Sequence, residues 1–402
     1  MNTIAWTLER RRLLALAGAA LDVSPARAQA PAAPAEAPLE KKVFETSDYR
    51  TRGGAAIPRV RIGYQTAGRL NERGDNAVLI THFFSGNSHA FGRLVANGPV
   101  GYWDAIIGPG KPIDTDRYFV VSADTLVNVN VPDANTVTTG PASINSSTGQ
   151  PWGMTFPVIS MRDFVEVQKL LLDRLGVRSL ALAAGPSNGG LQAIEFAAAY
   201  PDYVQRVMPV IAADIDAWMQ GWLDIWEAPI RLDPNWRDGD YYGAGKEPPL
   251  RGLAEAWKIV TLHARDRTWT RQWDRKAEEG QDPARRIGDR FAVETALDAA
   301  ALARARTSDA NSFLYMVRAN QLFLNEHASF QAALAGSTRR WLVVFSPTDR
   351  VFVSDGVQEM VGHLRTAGRQ VEVGEVTGPV GHINGLVAMN QVADRIRAFL
   401  AA

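Results

Sequence analysis

One stretch near the middle of the chain, residues 180–200, constrains the fold more than any other. It reads LALAAGPSNGGLQAIEFAAAY: an apolar run, a turn that places Ser187 between Gly185 and Gly189, and an alanine-rich stretch. This order predicts a buried strand, a tight turn and a helix. The glycines are needed because the strand and the helix pass too closely for side chains at a strained turn. We therefore predict that this turn holds Ser187 above the sheet and that Ser187 is a nucleophile. The alternative is that the segment is an ordinary glycine-rich turn without a catalytic role.

Short apolar runs recur along the chain and alternate with helical stretches. This alternation predicts an α/β protein whose mostly parallel sheet is covered by helices on both faces. The runs predicted as strands are 77–81, 118–123, 179–184, 204–212, 341–346 and 371–376. Before them, alternating apolar and polar residues at 43–67 predict an antiparallel hairpin.

A long segment, 214–336, breaks this alternation because it has helical stretches and no convincing strand. We predict a helical cap inserted into a core formed by 43–213 and 337–402. Seven of the eleven tryptophans lie in the cap. Three of them recur every four residues and so share one helix face: Trp218, Trp222 and Trp226. This face either packs against the core or a dimer partner, or it lines an apolar substrate pocket, for which Trp222 is the candidate.

The overall composition excludes several classes of function. The net charge is zero and no long basic run follows the N-terminus, which argues against a nucleic-acid partner. The chain has no cysteine, so disulfides and a thiolate nucleophile are excluded. The six histidines have no ligand-like spacing, and we predict neither a metal nor a cofactor.

The N-terminal 30 residues have the pattern of a signal peptide. Three arginines at 10–12 precede an apolar run at 13–21, and small residues around Ala28 offer a cleavage site. The arginines are typical of a twin-arginine signal, and the run is too short to span a bilayer. We predict residues 31–42 to be a disordered Pro/Ala-rich linker and the mature protein to be periplasmic or secreted, without a membrane anchor. A frayed amphipathic helix is the alternative.

A serine nucleophile needs a histidine base that a carboxylate orients. In enzymes with this turn the chain order is serine, acid, histidine. His382 lies in a glycine-rich loop before the last helix and is the predicted base, whereas His363 falls on a surface helix. Asp349 follows a predicted strand at its carboxyl end and is the predicted acid, with Asp355 as the fallback.

Two backbone N–H groups are candidates for an oxyanion hole. The N–H of Asn188 begins the helix that follows the serine, where the helix dipole favours negative charge. The N–H of Phe84 lies in the loop 82–86, directly after a predicted strand. His82 belongs to the same loop and is expected to shape it, although a catalytic role is the alternative.

From Ile62 onward the chain resembles the homoserine O-acetyltransferase family of α/β-hydrolase-fold enzymes. The matching motifs include TGPASIN, STGQPWGMTFPVISMRDFVEVQKLLLDRLGV, DPNWRDGDYY and DANSFLYMVRA, together with the serine turn and the acid and histidine loops. The resemblance implies a hydrolase core, a helical cap, a homodimer formed through the cap and an acyl-enzyme. It implies the same catalytic triad and the same two oxyanion donors.

The sequence departs from the family at positions that recognise substrate. Where members carry an aspartate that pairs with the amino group of homoserine, this chain has Ile383; where they carry an arginine for its carboxylate, it has Trp257. Buried charges need partners, so these apolar residues predict a small-molecule ester substrate that is neutral or apolar. Trp257, Ile383 and Trp222 are the predicted pocket residues.

The predicted function follows from the signal peptide and these departures together. An exported acetyltransferase would lack cytosolic acetyl-CoA, so we predict an exported serine hydrolase that cleaves carboxylic esters, lactones or amides through an acyl-enzyme. The alternative is an O-acyltransferase of the homoserine O-acetyltransferase type with altered acceptor specificity. A non-catalytic binding protein on the same scaffold is a third hypothesis, although such proteins usually lose a triad residue.

Overall fold

An eight-stranded sheet runs through the computed structural model, which describes residues 38–402. The strands are β1 (Lys42–Arg50), β2 (Ala56–Ala67), β3 (Ala77–Thr81), β4 (Phe119–Ala123), β5 (Leu180–Pro186), β6 (Arg206–Val210), β7 (Arg340–Phe345) and β8 (Gln370–Glu375). Their spatial order is β1-β2-β4-β3-β5-β6-β7-β8. β1 and β2 form an antiparallel hairpin, β2 is antiparallel to β4, and every other neighbouring pair is parallel. The predicted α/β fold with a mostly parallel sheet is therefore confirmed.

Helices cover the sheet on both faces. They are α1 (Met161–Arg174), α2 (Asn188–Ala199), α3 (Ala217–Leu232), α4 (Leu250–His263), α5 (Arg267–Thr270), α6 (Ala292–Ala305), α7 (Ala310–Gln321), α8 (Phe330–Gly336), α9 (Ser354–Thr366), α10 (Asn384–Val387) and α11 (Ala393–Ala401). Short 3-10 turns lie at Gly153–Thr155, Arg237–Gly239, Gly381–Ile383 and Met389–Val392.

Side chains of the central strand β3 alternate between two apolar clusters. Ala77 and Leu79 join the larger cluster, which also contains side chains of α1, α2, α9 and the cap. Val78 and Ile80 join the smaller cluster on the opposite face, which contains side chains of α11. A strand that is buried on both faces has no polar alternation, which explains the uninterrupted apolar run in the sequence.

The cap consists of the six helices α3 to α8, and it is inserted between β6 and β7. This is the segment in which the sequence predicted the cap. Its helices α4 and α3 pack against each other, and so do α4 and α6. The cap helices bring apolar side chains into the larger cluster, so cap and core share one apolar interior.

The predicted signal peptide, residues 1–30, lies outside the described residues. The linker predicted at 31–42 is described only from Pro38, and that part is not disordered: the N–H of Leu39 donates to the Arg93 carbonyl at 2.7 Å. The Lys41 ammonium lies 2.8 Å from the buried carboxylate of Asp124. A buried carboxylate needs a partner, so this end of the segment is fixed to the core. Within residues 38–402, no helix has the length and apolar character required to cross a bilayer.

Candidate active site

The backbone turn at Ser187 joins β5 directly to α2. Ser187 has φ 56° and ψ −123°, a conformation that side-chain-bearing residues rarely adopt. A methyl group added to Gly185 or to Gly189 would overlap Thr81 of the neighbouring strand. The two glycines therefore allow the turn to approach β3, as the sequence pattern predicted. The Thr81 hydroxyl donates to the Gly189 carbonyl at 2.7 Å and ties strand and helix together.

Ser187, His382 and Asp349 form a continuous chain of hydrogen bonds. His382 Nε2 lies 2.8 Å from Ser187 Oγ, and His382 Nδ1 lies 2.7 Å from Asp349 Oδ2. The second carboxylate oxygen of Asp349 accepts the backbone N–H groups of Val351 and Phe352 at 2.8 and 3.1 Å. These contacts orient the carboxylate, which in turn holds the imidazole with Nδ1 protonated and Nε2 free to accept the serine proton.

The other candidates for these roles lie elsewhere. Asp355, the fallback acid, is exposed on the first turn of α9. His363 lies on the same helix, where its ring contacts Gln331 and Glu359. Neither residue contacts His382 or Ser187.

The two predicted oxyanion donors are available for a ligand. Within residues 38–402, no acceptor is hydrogen-bonded to the backbone N–H of Phe84 or of Asn188. Phe84 and Ser187 line the same cavity, and Asn188 begins α2 directly after the serine. The Asn188 side chain donates to the His82 carbonyl at 3.3 Å, which links the start of α2 to the loop that carries Phe84.

His82 orients this loop. Its Nε2 accepts the Thr125 backbone N–H at 3.2 Å, so the ring proton is on Nδ1. Nδ1 then donates to the Phe83 carbonyl at 2.8 Å. That carbonyl belongs to the same planar peptide as the Phe84 N–H, so the bond fixes the direction of the oxyanion donor. Burial lowers the pKa of His82 and keeps the ring neutral.

A cavity of about 290 Å³ opens onto Ser187 and His382. Trp257 and Ile383, two of the three predicted pocket residues, line it. Trp222 does not line it: its ring stacks on His263, with 4.0 Å between ring centroids. The tryptophan that does line the cavity from the same helix is Trp226, one turn further along α3.

Two arginines that the sequence analysis missed also line the cavity. Arg265 follows α4 and Arg304 lies near the end of α6. Neither belongs to a motif, and helical spacing alone does not show which face of a cap helix points toward the core. Among the described residues, no cluster of histidine and carboxylate side chains could hold a metal ion.

Known proteins resemble this chain in sequence and structure over most of its length. Residues 138–385 match the family model of the alpha/beta hydrolase fold. The chain is 35% identical to the homoserine O-acetyltransferase of Moorella thermoacetica over 86% of its own length and 92% of that protein. The crystal structure of homoserine O-acetyltransferase from Bacillus anthracis matches with a TM-score of 0.86 and 32% identity over 91% of this chain and 99% of that one. The crystal structure of esterase E22 matches with a TM-score of 0.86 and 39% identity over 90% of this chain and 100% of that one.

These comparisons correct the predicted main activity. The curated relatives at 33–35% identity are homoserine O-acetyltransferases, so the prediction of an exported ester hydrolase is wrong. That prediction combined an export signal in residues 1–30, which lie outside the described residues, with the departures at Trp257 and Ile383. The alternative that the sequence left open, an O-acyltransferase, is the better supported one.

Proposed function

Because the chain belongs to the homoserine O-acetyltransferase family of α/β-hydrolase-fold enzymes, we propose that it is an O-acyltransferase. It moves an acyl group from a donor, by way of Ser187, to the hydroxyl of a small-molecule acceptor. The observation that supports this most directly is the hydrogen-bonded chain of Ser187, His382 and Asp349, whose serine and histidine line a cavity. Relatives named as acetyltransferases make an acyl thioester such as acetyl-CoA the donor to test first.

In the first half-reaction, Ser187 Oγ attacks the acyl carbonyl of the donor while His382 Nε2 takes the hydroxyl proton. The carbonyl oxygen becomes an oxyanion, which the N–H groups of Phe84 and Asn188 stabilise. His382 then returns the proton to the departing thiol, and an ester on Ser187 remains. Asp349 keeps the imidazole in the required tautomer throughout.

In the second half-reaction, the acceptor hydroxyl takes the position of the departed thiol. His382 Nε2 removes its proton, the acceptor oxygen attacks the ester carbon, and the same N–H pair stabilises the second oxyanion. The proton then returns to Ser187 Oγ, and the new ester leaves. Water competes for this step, and the outcome depends on whether the cavity holds an alcohol in a better position.

We propose that the acceptor specificity differs from that of homoserine-specific members. Ile383 and Trp257 line the cavity at the positions where the family resemblance implies an aspartate and an arginine. An acceptor's ammonium group would lack a carboxylate partner at Ile383, which is unfavourable in a closed cavity.

The experiment is to incubate the full chain with acetyl-CoA and a panel of small alcohols that includes homoserine. Release of CoA is followed with a thiol reagent, and the O-acetyl product is identified by mass spectrometry. We expect at least one alcohol to raise CoA release well above the rate without an acceptor. Ser187→Ala should lower that rate about 10³-fold or more, because the three residues of a triad act as a unit.

The acceptor-free rate must be measured separately, since esterase E22 shares this fold at 39% identity. Ser187-dependent CoA release that no alcohol increases, with acetate as the sole product, would contradict acyl transfer. Substitution of the half-exposed His363 by glutamine serves as the control, because its ring contacts none of the triad residues.

A further inference from the structure

Arg304 extends from α6 to the edge of the oxyanion loop. One guanidinium nitrogen, Nη2, donates to the Ser85 carbonyl, and the same nitrogen donates to Asn130 Oδ1 at 2.7 Å. The guanidinium carbon lies 5.1 Å from the centre of the Trp257 ring, so the side chain rests on that indole. The group is therefore held in a fixed position beside Phe84 and Trp257 in the wall of the cavity.

Within residues 38–402, the Arg304 guanidinium has unused donors and no carboxylate in salt-bridge contact. Nε and Nη1 make no hydrogen bond within residues 38–402, and no carboxylate of this part of the chain lies within 4 Å of the group. Burial lowers the pKa of Arg304 to about 10, and the negative charge of Asp133 opposes this lowering only from a longer distance. Arg304 therefore remains charged at neutral pH, with two nitrogens still able to donate.

Among the described residues, the other arginine in the cavity wall has the same sign of charge. This is Arg265, and within the described part of the chain no aspartate or glutamate lines the cavity. A cavity wall that contains the Arg304 guanidinium, a second arginine and no acid favours an anion and disfavours a cation.

We propose that Arg304 binds a carboxylate of the acyl acceptor, and that the acceptor is a hydroxy acid without an ammonium group. This inference rests on the proposed acyltransferase activity. Trp257 and Ile383 alone predict a neutral or apolar substrate, but Arg304 adds a positive charge to the same cavity wall. Nη2 is already engaged, so a carboxylate would accept a single charge-assisted hydrogen bond, from Nε or from Nη1. Ile383 is compatible with this acceptor, because no ammonium group requires a partner there.

The test compares acceptors of one chain length with acetyl-CoA as donor. These are 4-hydroxybutanoate, its neutral amide 4-hydroxybutanamide, and homoserine, which adds an ammonium group to the first. We expect kcat/KM to be highest for 4-hydroxybutanoate, at least about tenfold above the amide. Arg304→Gln should lower this selectivity ratio about tenfold or more, whereas Arg304→Lys should retain part of it.

The matched control is Arg306→Gln, since Arg306 is an exposed arginine two residues further on. Its selectivity ratio should equal that of the unmodified protein. An unchanged ratio in Arg304→Gln would overturn the proposal, because Arg304 would then act only by supporting the Ser85 loop. A loss confined to kcat/KM for acetyl-CoA would also overturn it, because the bound anion would then belong to the donor.

A binding measurement separates this inference from the proposed function. Ser187→Ala is titrated with 4-hydroxybutanoate by calorimetry, and the double variant Ser187→Ala/Arg304→Gln is titrated in the same way. Binding that Arg304→Gln weakens about tenfold supports the carboxylate site even if no acyl transfer is found. Equal binding of the acid and its amide to Ser187→Ala would overturn it even if transfer is confirmed.

Discussion

At the scale of single residues, the sequence contained the triad but not its surroundings. Ser187, Asp349 and His382 each follow a local pattern, namely a glycine-flanked turn, the end of a strand and a glycine-rich loop. Arg304 belongs to no such local pattern, because its position in the cavity wall depends on how α6 packs against the core. Trp222 was assigned to the wrong surface for the same reason, since one turn of α3 separates it from the cavity-lining Trp226.

His82 holds the peptide that presents the Phe84 N–H. His82→Phe removes the hydrogen bond to the Phe83 carbonyl and so frees the peptide that presents the Phe84 N–H. We expect kcat to fall about 10- to 100-fold, with a smaller change in KM, because the N–H acts on charge that develops in the transition state. Steady-state kinetics on the folded variant, verified by circular dichroism, measure this.

His363→Phe is the matched control for that experiment, because this histidine lies outside the site, on α9. An unaltered kcat in His82→Phe would show that other contacts, such as the turn bond from the Gly86 N–H to the Phe83 carbonyl at 2.8 Å, suffice to hold the peptide.

At the scale of elements, a histidine links the cap to the loop of the catalytic acid. His263 ends α4, and its Nδ1 accepts the indole N–H of Trp226 at 3.2 Å. Its Nε2 therefore carries the proton and donates to the Arg350 carbonyl at 2.9 Å, one residue beyond Asp349. The sequence predicted a shared tryptophan face, but the histidine between those rings comes from another helix and had no local signal.

The pH dependence of stability tests this link. Burial lowers the pKa of His263 from 6.5 to about 4, so the unfolded chain takes up a proton first as the pH falls. The stability that the neutral ring contributes is present above pH 6.5 and is lost as the pH falls toward 4. Between pH 7 and pH 5 the loss is about 2 kcal/mol for these pKa values.

We therefore expect the stability difference between the unmodified protein and His263→Gln to narrow by that amount from pH 7 to pH 5. Urea unfolding at both pH values measures it. His82 also has a lowered pKa but is present in both proteins, so it cancels in the difference. A difference that does not vary with pH would show that His263 titrates normally.

At the scale of the whole molecule, the fold was more predictable than the cavity. The eight strands and the cap insertion follow from apolar runs and their spacing, which are local properties. The cavity wall combines a loop after β3, three cap helices and the histidine loop, and these meet only through tertiary packing. The charge of the cavity, from which the class of acceptor is proposed, is therefore a property of the assembled molecule.

The outer surface of the cap leads to the last prediction, a homodimer formed through the cap. Trp218, Ile225 and Leu232 recur every seven residues on α3 and are 63%, 48% and 82% exposed. Leu262, on the neighbouring cap helix α4, is a further exposed apolar side chain, at 49%. An apolar stripe of this length on a helix face is typical of an interface, and a two-fold pair of chains would cover the same stripe on both copies. We expect light scattering after size exclusion to give twice the mass of a single chain, and Trp218→Glu/Leu232→Glu to give the single-chain mass. Leu170→Glu is the control, because Leu170 is an exposed apolar residue on α1 of the core, away from the cap stripe. This variant should remain a dimer. A single-chain mass for the unmodified protein would contradict the prediction.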